Sequence, residues 1–156
     1  MKFSKLILDT NLFLVFIVGK IDIDLIPKVK RISGYDIEDF NSIMNFVNKA
    51  KEVLITNSIA TEVCNHLDKY NKQYNNEIFK KFADVLKVLT DKTIKLKDNI
   101  NNDAFIIFGF ADAEIYNITD LDCLIMTDDS NLSDFLNNNG RQVLNINHLR
   151  QERWFN

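Results

Sequence analysis

Leu6-Ile7-Leu8-Asp9-Thr10-Asn11-Leu12-Phe13 is the stretch whose reading decides the fold. Phe3 to Leu8 is an apolar, β-prone run of the kind that forms a strand buried on both faces. It stops on an acid, Asp9, and two small polar residues. Apolar residues then resume at Leu12 and continue to Val18, enough for a short helix. A carboxylate placed where a buried strand becomes a helix lies at the carboxyl edge of a parallel sheet. Open α/β proteins bind their ligands at that edge, so any chemistry is expected around Asp9.

Outward from that stretch, the 156 residues suit one domain, 1–156, that buries about two-thirds of its unfolded surface. The chain is 46% hydrophobic with 12 Phe, 4 Gly and 1 Pro, which predicts a substantial interior and short loops. A net charge of -3 argues against coating nucleic acid by overall positive charge, while leaving room for a local basic patch. Cys64 and Cys123 show neither CxxC nor Cys/His spacing and read as reduced core residues of a cytoplasmic protein. Lys2 and Lys5 before an apolar run imitate a secretory leader, but Asp9, Thr10 and Asn11 interrupt it and no small-x-small site follows. No run reaches the ~18 apolar residues of a membrane span, so a soluble chain without membrane contact is expected.

Along the chain, Gly19 to Gly34 reads as a loop with a short helical turn, containing Pro27 and the basic group Lys28, Lys30 and Arg31. Asp36 caps a helical pattern with Ile37, Phe40, Ile43, Met44 and Val47 on one face. Val53 to Thr56 is a second strand, and Asn57 or Ser58 caps the next helix, with Glu62 in its first turn and His66 one turn on. Ile78, Phe79, Phe82, Val85, Leu86 and Leu89 space a further helix. Ile94 to Leu96 reads as a small edge strand and Asp98 to Asp103 as a polar loop. Ala104 to Ile118, apolar except for Asp112 and Glu114, predicts one buried helix. Leu124 to Thr127 is a strong strand ending on Asp128-Asp129, followed by a helix over Leu132 to Leu136, a strand at Val143-Leu144 and a helix over Asn147 to Trp154. Alternation of this kind predicts a three-layer α/β/α domain with a central, mainly parallel sheet.

Two of the clearest strands thus end on acids, Asp9 and Asp129, with Asp128 beside the latter. Glu62 and Asp112 sit on apolar helices where a solvated charge is not expected. Four carboxylates converging on one cleft cannot all ionise unless something positive joins them. Oxygen-only ligands select Mg²⁺ or Mn²⁺ over zinc. A carboxylate cage with one or two such ions suits phosphodiester hydrolysis, in which the ion activates water and neutralises charge on the phosphate.

Leu8-Asp9-Thr10-Asn11, Glu62 within Ile59-Ala60-Thr61-Glu62-Val63, Ala111-Asp112-Ala113 and Thr127-Asp128-Asp129 together resemble, in order and approximate spacing, the four acidic motifs of PIN-domain nucleases. The resemblance covers essentially the whole chain. It implies metal-dependent cleavage of single-stranded RNA with Asp9, Glu62, Asp112 and Asp129 as ligands and catalytic residues, Asp128 being the alternative fourth ligand. It also implies that Thr10 or Asn11 and Thr127 orient the acids. The small bacterial members are toxins of toxin–antitoxin pairs, homodimers held inactive by an antitoxin protein. The segment from Ile21 to Asn48 is longer than compact toxins carry there.

Each residue also has a plainer reading. Asp9 and Asp129 can cap the helices that follow them, and Glu62 gains from the dipole of its helix. His66 and His148 read as surface or hydrogen-bonded histidines, and the Phe79–Leu89 face as core or dimer surface. Lys28, Lys30, Arg31, Lys80 and Lys81 form either a solvated face or phosphate contacts. Other phosphate chemistries fit less well. A haloacid-dehalogenase-type phosphatase needs an acid where Asn11 stands, and a receiver domain needs a lysine where Asn145-Ile146-Asn147 stand. No Gly-rich phosphate loop or nucleophile elbow occurs. The alternative from another class is a non-catalytic PIN-like module that binds RNA or protein.

Overall fold

A computed structural model describes residues 2–155; Met1 and Asn156 of the single 1–156 domain lie outside the described residues. From the amino end run β1 (Lys5–Leu8), α1 (Thr10–Ile21), two 3₁₀ turns (Ile23–Lys28 and Lys30–Ile32), α2 (Ile37–Lys49), β2 (Glu52–Thr56), α3 (Asn57–Gln73) and α4 (Glu77–Leu86). Then come β3 (Thr90–Lys92), α5 (Leu96–Asn99), α6 (Asp103–Phe108), α7 (Phe110–Ile118), β4 (Cys123–Thr127), α8 (Ser130–Asn138), β5 (Gln142–Asn145) and α9 (Ile146–Phe155). The strands form one sheet in the order β3-β2-β1-β4-β5, parallel throughout. With helices flanking it, this is the three-layer α/β/α arrangement expected.

β1 and β4 lie in the interior of the sheet. Leu6, Ile7 and Leu8 are buried, as is every residue of β4. Neither face of these strands meets water, which is why both read as unbroken apolar runs and not as alternation. α1 is apolar on all sides for the same reason: Leu12 to Val18 are all buried, and the helix packs against β1, α2, α3 and α4. Gly19 permits the approach of α2, since a Cβ there would stand 2.3 Å from the Phe40 ring. Cys64 and Cys123 are both free thiols. No helix among the described residues is long and apolar enough to cross a membrane.

Several elements depart from the sequence expectation. The 19–34 stretch is mostly helical: α1 continues to Ile21 and the two 3₁₀ turns fill the rest, burying Leu25, Ile26, Val29 and Ile32. The edge strand is at Thr90–Lys92, not 94–96, and Leu96–Asn99 is a helical turn inside what reads as strand end and loop. The 104–118 helix is two helices broken at Gly109, whose φ of +90° a residue with a side chain rarely adopts. Ile106 and Ile107 of the first piece are exposed. Finally, Thr56 caps α3 by accepting from the Ile59 N–H at 3.3 Å, so Glu62 stands in the second turn, not the first.

Candidate active site

All five strands run the same way, so their carboxyl ends share one edge of the sheet. Leu8 is in register with Met126, which brings Asp9 level with the end of β4. Asp9 joins the two strand ends. Its Oδ1 accepts from the Leu12 N–H at 2.9 Å, capping α1, and its Oδ2 accepts from the Asp128 N–H at 3.0 Å. The next two residues, on the first turn of α1, reach other elements. Thr10 Oγ1 donates to Glu62 Oε2 at 2.7 Å, tying the α3 acid to this edge. Asn11 Nδ2 donates to both carboxylate oxygens of Asp128 at 3.1 Å, while its Oδ1 accepts from Arg31 Nε at 2.8 Å. Thr127 Oγ1 accepts from the Asp129 N–H at 3.0 Å.

These contacts border a cavity of about 250 Å³. Asp9, Glu62, Asp112, Asp128 and Asp129 line it, together with Thr10, Asn11 and Arg31. The five acids come from four places: the β1–α1 junction, α3, α7 and the β4–α8 junction. Phe108 and Phe110, either side of the Gly109 break, also line it.

No family model, curated protein or solved structure matches the chain. The site therefore rests on its own residues.

Their electrostatics are those of crowded acids. Burial, and then the charge of Asp128, push the Asp9 carboxyl up to about 7, against the hydrogen bonds from Thr127, Leu12 and Asp128. Asp112 is pushed up to about 6 by burial and then by Asp129, Glu62 and Asp128. No hydrogen-bond donor among the described residues reaches it. Asp128, in contrast, is well satisfied. Besides Asn11, the Tyr35 hydroxyl donates to its Oδ2 at 2.5 Å. Burial and that bond hold the phenol protonated, well above its usual range. The two acids of the doublet therefore differ: Asp128 is held by neutral donors, and Asp129 caps α8 through Oδ1, which accepts from Asn131 N–H at 2.8 Å and Leu132 N–H at 3.0 Å.

Carboxylate oxygens without lining thiols or imidazoles suit a hard cation such as Mg²⁺ or Mn²⁺. Among the described residues, however, no three His, Cys, Asp or Glu side chains form a group that could hold a metal ion as they stand. The acids line one cavity, as expected of carboxylates at the shared sheet edge. Of the basic group, Arg31 lines this cavity, Lys30 lines a neighbouring one, and Lys28 borders a separate hollow with Pro27 and Ile37. His66 lines the neighbouring cavity as well, and His148 is exposed on α9.

Tyr35 and Asn147 belong to the site without any sequence signal. Asn147 Nδ2 donates to the Asp128 carbonyl at 3.0 Å. Tyr35 meets Asp128 across 93 residues of chain, and nothing in Gly34-Tyr35-Asp36 distinguishes it from an ordinary half-apolar turn.

Proposed function

We propose that this chain is a divalent-metal-dependent endoribonuclease of the PIN type that cleaves single-stranded RNA by attack of water. The observation that carries the reading is the cavity itself, to which four separate elements contribute carboxylates. Helix capping accounts for Asp9 and Asp129 taken singly, but not for Glu62 and Asp112 facing the same hollow. Asp112 stands in the first turn of α7. A helix dipole is worth only ~0.3–1 kcal/mol there, and the carboxyl is still pushed up to about 6.

Asp9, Glu62, Asp112 and Asp129 are the residues that would hold one or two Mg²⁺ or Mn²⁺ ions, with Asp128 the alternative to Asp129. Such an ion, when bound, supplies an activated water and neutralises charge on the phosphate and the leaving oxygen. The chain's own groups prepare the place. Thr10 keeps the Glu62 carboxylate turned to the cavity. Asn11 and Tyr35 fix Asp128, and through it the turn that presents Asp129. Arg31 is the cation beside the acids, where a guanidinium meets a phosphate oxygen that carboxylates alone would repel. The resemblance to PIN-domain toxins extends the reading to a homodimeric toxin controlled by an antitoxin protein.

The test is cleavage of an end-labelled single-stranded RNA in Mg²⁺ or Mn²⁺. Chelator should abolish it, and the products should carry a 5′-phosphate and a 3′-hydroxyl, because water and not a neighbouring 2′-hydroxyl attacks. Cleavage that persists in chelator, or cyclic-phosphate ends, overturns the mechanism. Tight RNA binding with no cleavage in either ion favours the non-catalytic module instead.

A further inference from the structure

Beside the carboxylate cavity lies a larger hollow of about 510 Å³, walled by the chain around the second 3₁₀ turn and by α3. Lys30, Arg31, His66, Lys69, Tyr70 and Val29 line it. One phenol assembles it. Tyr70 Oη accepts from the Lys30 N–H at 3.0 Å and donates to the Lys28 carbonyl at 3.2 Å, fastening the 3₁₀ segment to α3. Val29 is buried against the core beneath. Lys69 Nζ lies 5.2 Å from the centroid of the Tyr70 ring.

The charge here is opposite to that of its neighbour. Ion pairs among the described residues engage Lys5, Lys72, Lys80, Lys87, Arg150 and Arg153, and leave Lys30, Arg31 and Lys69 without a carboxylate. No acid among the described residues lines the hollow, in a chain whose net charge is -3. Burial and the Arg31 charge hold the His66 imidazole below its usual range, despite Glu62 nearby. Arg31 lines both cavities, so the two open side by side.

A polyanion brought to five carboxylates is repelled unless cations hold it close by. Three cations without a carboxylate partner and an aromatic ring are the elements with which proteins grip a single-stranded nucleic acid, cations on the phosphate and a ring against the base. We infer that this hollow is a nucleotide subsite. It takes the phosphodiester next to the one presented to the carboxylates, with Lys30 and Lys69 on the phosphate, Arg31 between the two cavities and Tyr70 against the nucleoside. The inference takes its substrate class from the ribonuclease reading, but binding can be measured without cleavage.

The experiment uses the full chain and a fluorescent 12-nucleotide single-stranded RNA in chelator, with affinity followed by anisotropy against salt. Lys30→Gln/Lys69→Gln is compared with wild type and with Lys49→Gln/Lys51→Gln. The latter makes the same charge change where β2 begins, at the opposite edge of the sheet. All four lysines are exposed, so the fold is retained. The slope of log affinity against log salt is about 0.7 per phosphate contacted on a single strand. The Lys30/Lys69 variant should lose about 0.7 or more of that slope and about tenfold in affinity at low salt. The control should keep both. Wild type that does not bind, a Lys30/Lys69 variant that matches wild type, or a control that weakens equally overturns the subsite. RNA bound through Lys30 and Lys69 but uncut in Mn²⁺ removes the nuclease reading and leaves the subsite. RNA cut by the variant with unchanged KM does the reverse.

Discussion

Both carboxylate oxygens of Asp128 already accept hydrogen bonds, from the Asn11 amide and the Tyr35 hydroxyl. Asp129 uses Oδ1 to cap α8, and no donor among the described residues reaches its Oδ2. Within the doublet, only Asp129 keeps an oxygen without a donor among the described residues, which makes it the expected ligand of the two. Asp129→Asn should cost more than about 100-fold in cleavage rate, and Asp128→Asn about 10-fold, as for a partner that only orients a ligand. Asparagine caps a helix as well as aspartate does, so Asp129→Asn should melt with wild type, and single-turnover rates beside thermal melts separate ligand from cap. The reverse order of rates moves the fourth ligand to Asp128. Sequence favours Asp129 only through the family resemblance, because the physical difference is made by Tyr35, which is far away in the chain. What the sequence did carry at this scale was Asp9, since an acid that ends a buried strand is conspicuous wherever it occurs.

At the scale of elements, α9 is held to α2 by charge. Asp39 sits in the first turn of α2 with its side chain 2% exposed, paired with Arg150 Nη2 at 2.6 Å and with Arg153. Burial alone would raise the Asp39 carboxyl, but the bonds from Arg150 and Arg153 more than offset this and hold it below 3.8. The native state thus binds fewer protons than the unfolded chain in the acid range. The resulting stability is fully present above the ordinary carboxylate pKa and is lost as pH falls through the depressed one. Asp39→Asn should lower Tm at neutral pH by about 4–8 °C, from roughly 2 kcal/mol of charge-assisted bonding. The gap should narrow and close on acidification in scanning calorimetry. A gap independent of pH would assign the effect to packing. The same clamp reaches the site, because the Arg150 guanidinium lies 4.5 Å from the centroid of the Tyr35 ring. Elements were legible in proportion to their burial. β1 and β4 stand out as apolar runs, while β3, a three-residue edge strand of Thr90-Asp91-Lys92, has no apolar side to announce it. The break at Gly109 had its signal in the glycine between Phe108 and Phe110, which the surrounding hydrophobicity masked.

Over the whole molecule, the carboxylate cavity gathers like charges that repel one another. On the metal-site reading, replacing Asp112 removes a like charge as well as a ligand, so Asp112→Asn without metal should melt at or above wild type. Mn²⁺ at a hundredfold excess over its Kd should stabilise wild type by about 2.7 kcal/mol, roughly 5–10 °C for a domain of this length, and the variant hardly at all. Were Asp112 structural, the variant would melt lower and Mn²⁺ would raise both proteins alike. The layer architecture was legible because strand and helix alternate from one end to the other. That the acids meet in one cavity was legible too, since parallel strands send their carboxyl ends to one edge. The bonds that orient them, such as Thr10 to Glu62, were not, because they depend on side-chain rotamers.

The strand order has a temporal meaning. β1 lies between β2 and β4, pairing Lys5 with Glu52 on one side and with Cys123 on the other. A nascent chain grows from its amino end, and domains fold as units during synthesis. Asp9 therefore leaves the ribosome 119 residues ahead of Asp128 and waits for the strand that carries Asp128 and Asp129 beside it. Until β4 emerges, β1 has only β2 to pair with, and Asp9 has no Asp128 N–H to accept from. The carboxylate cavity is thus completed only once β4 has joined the sheet.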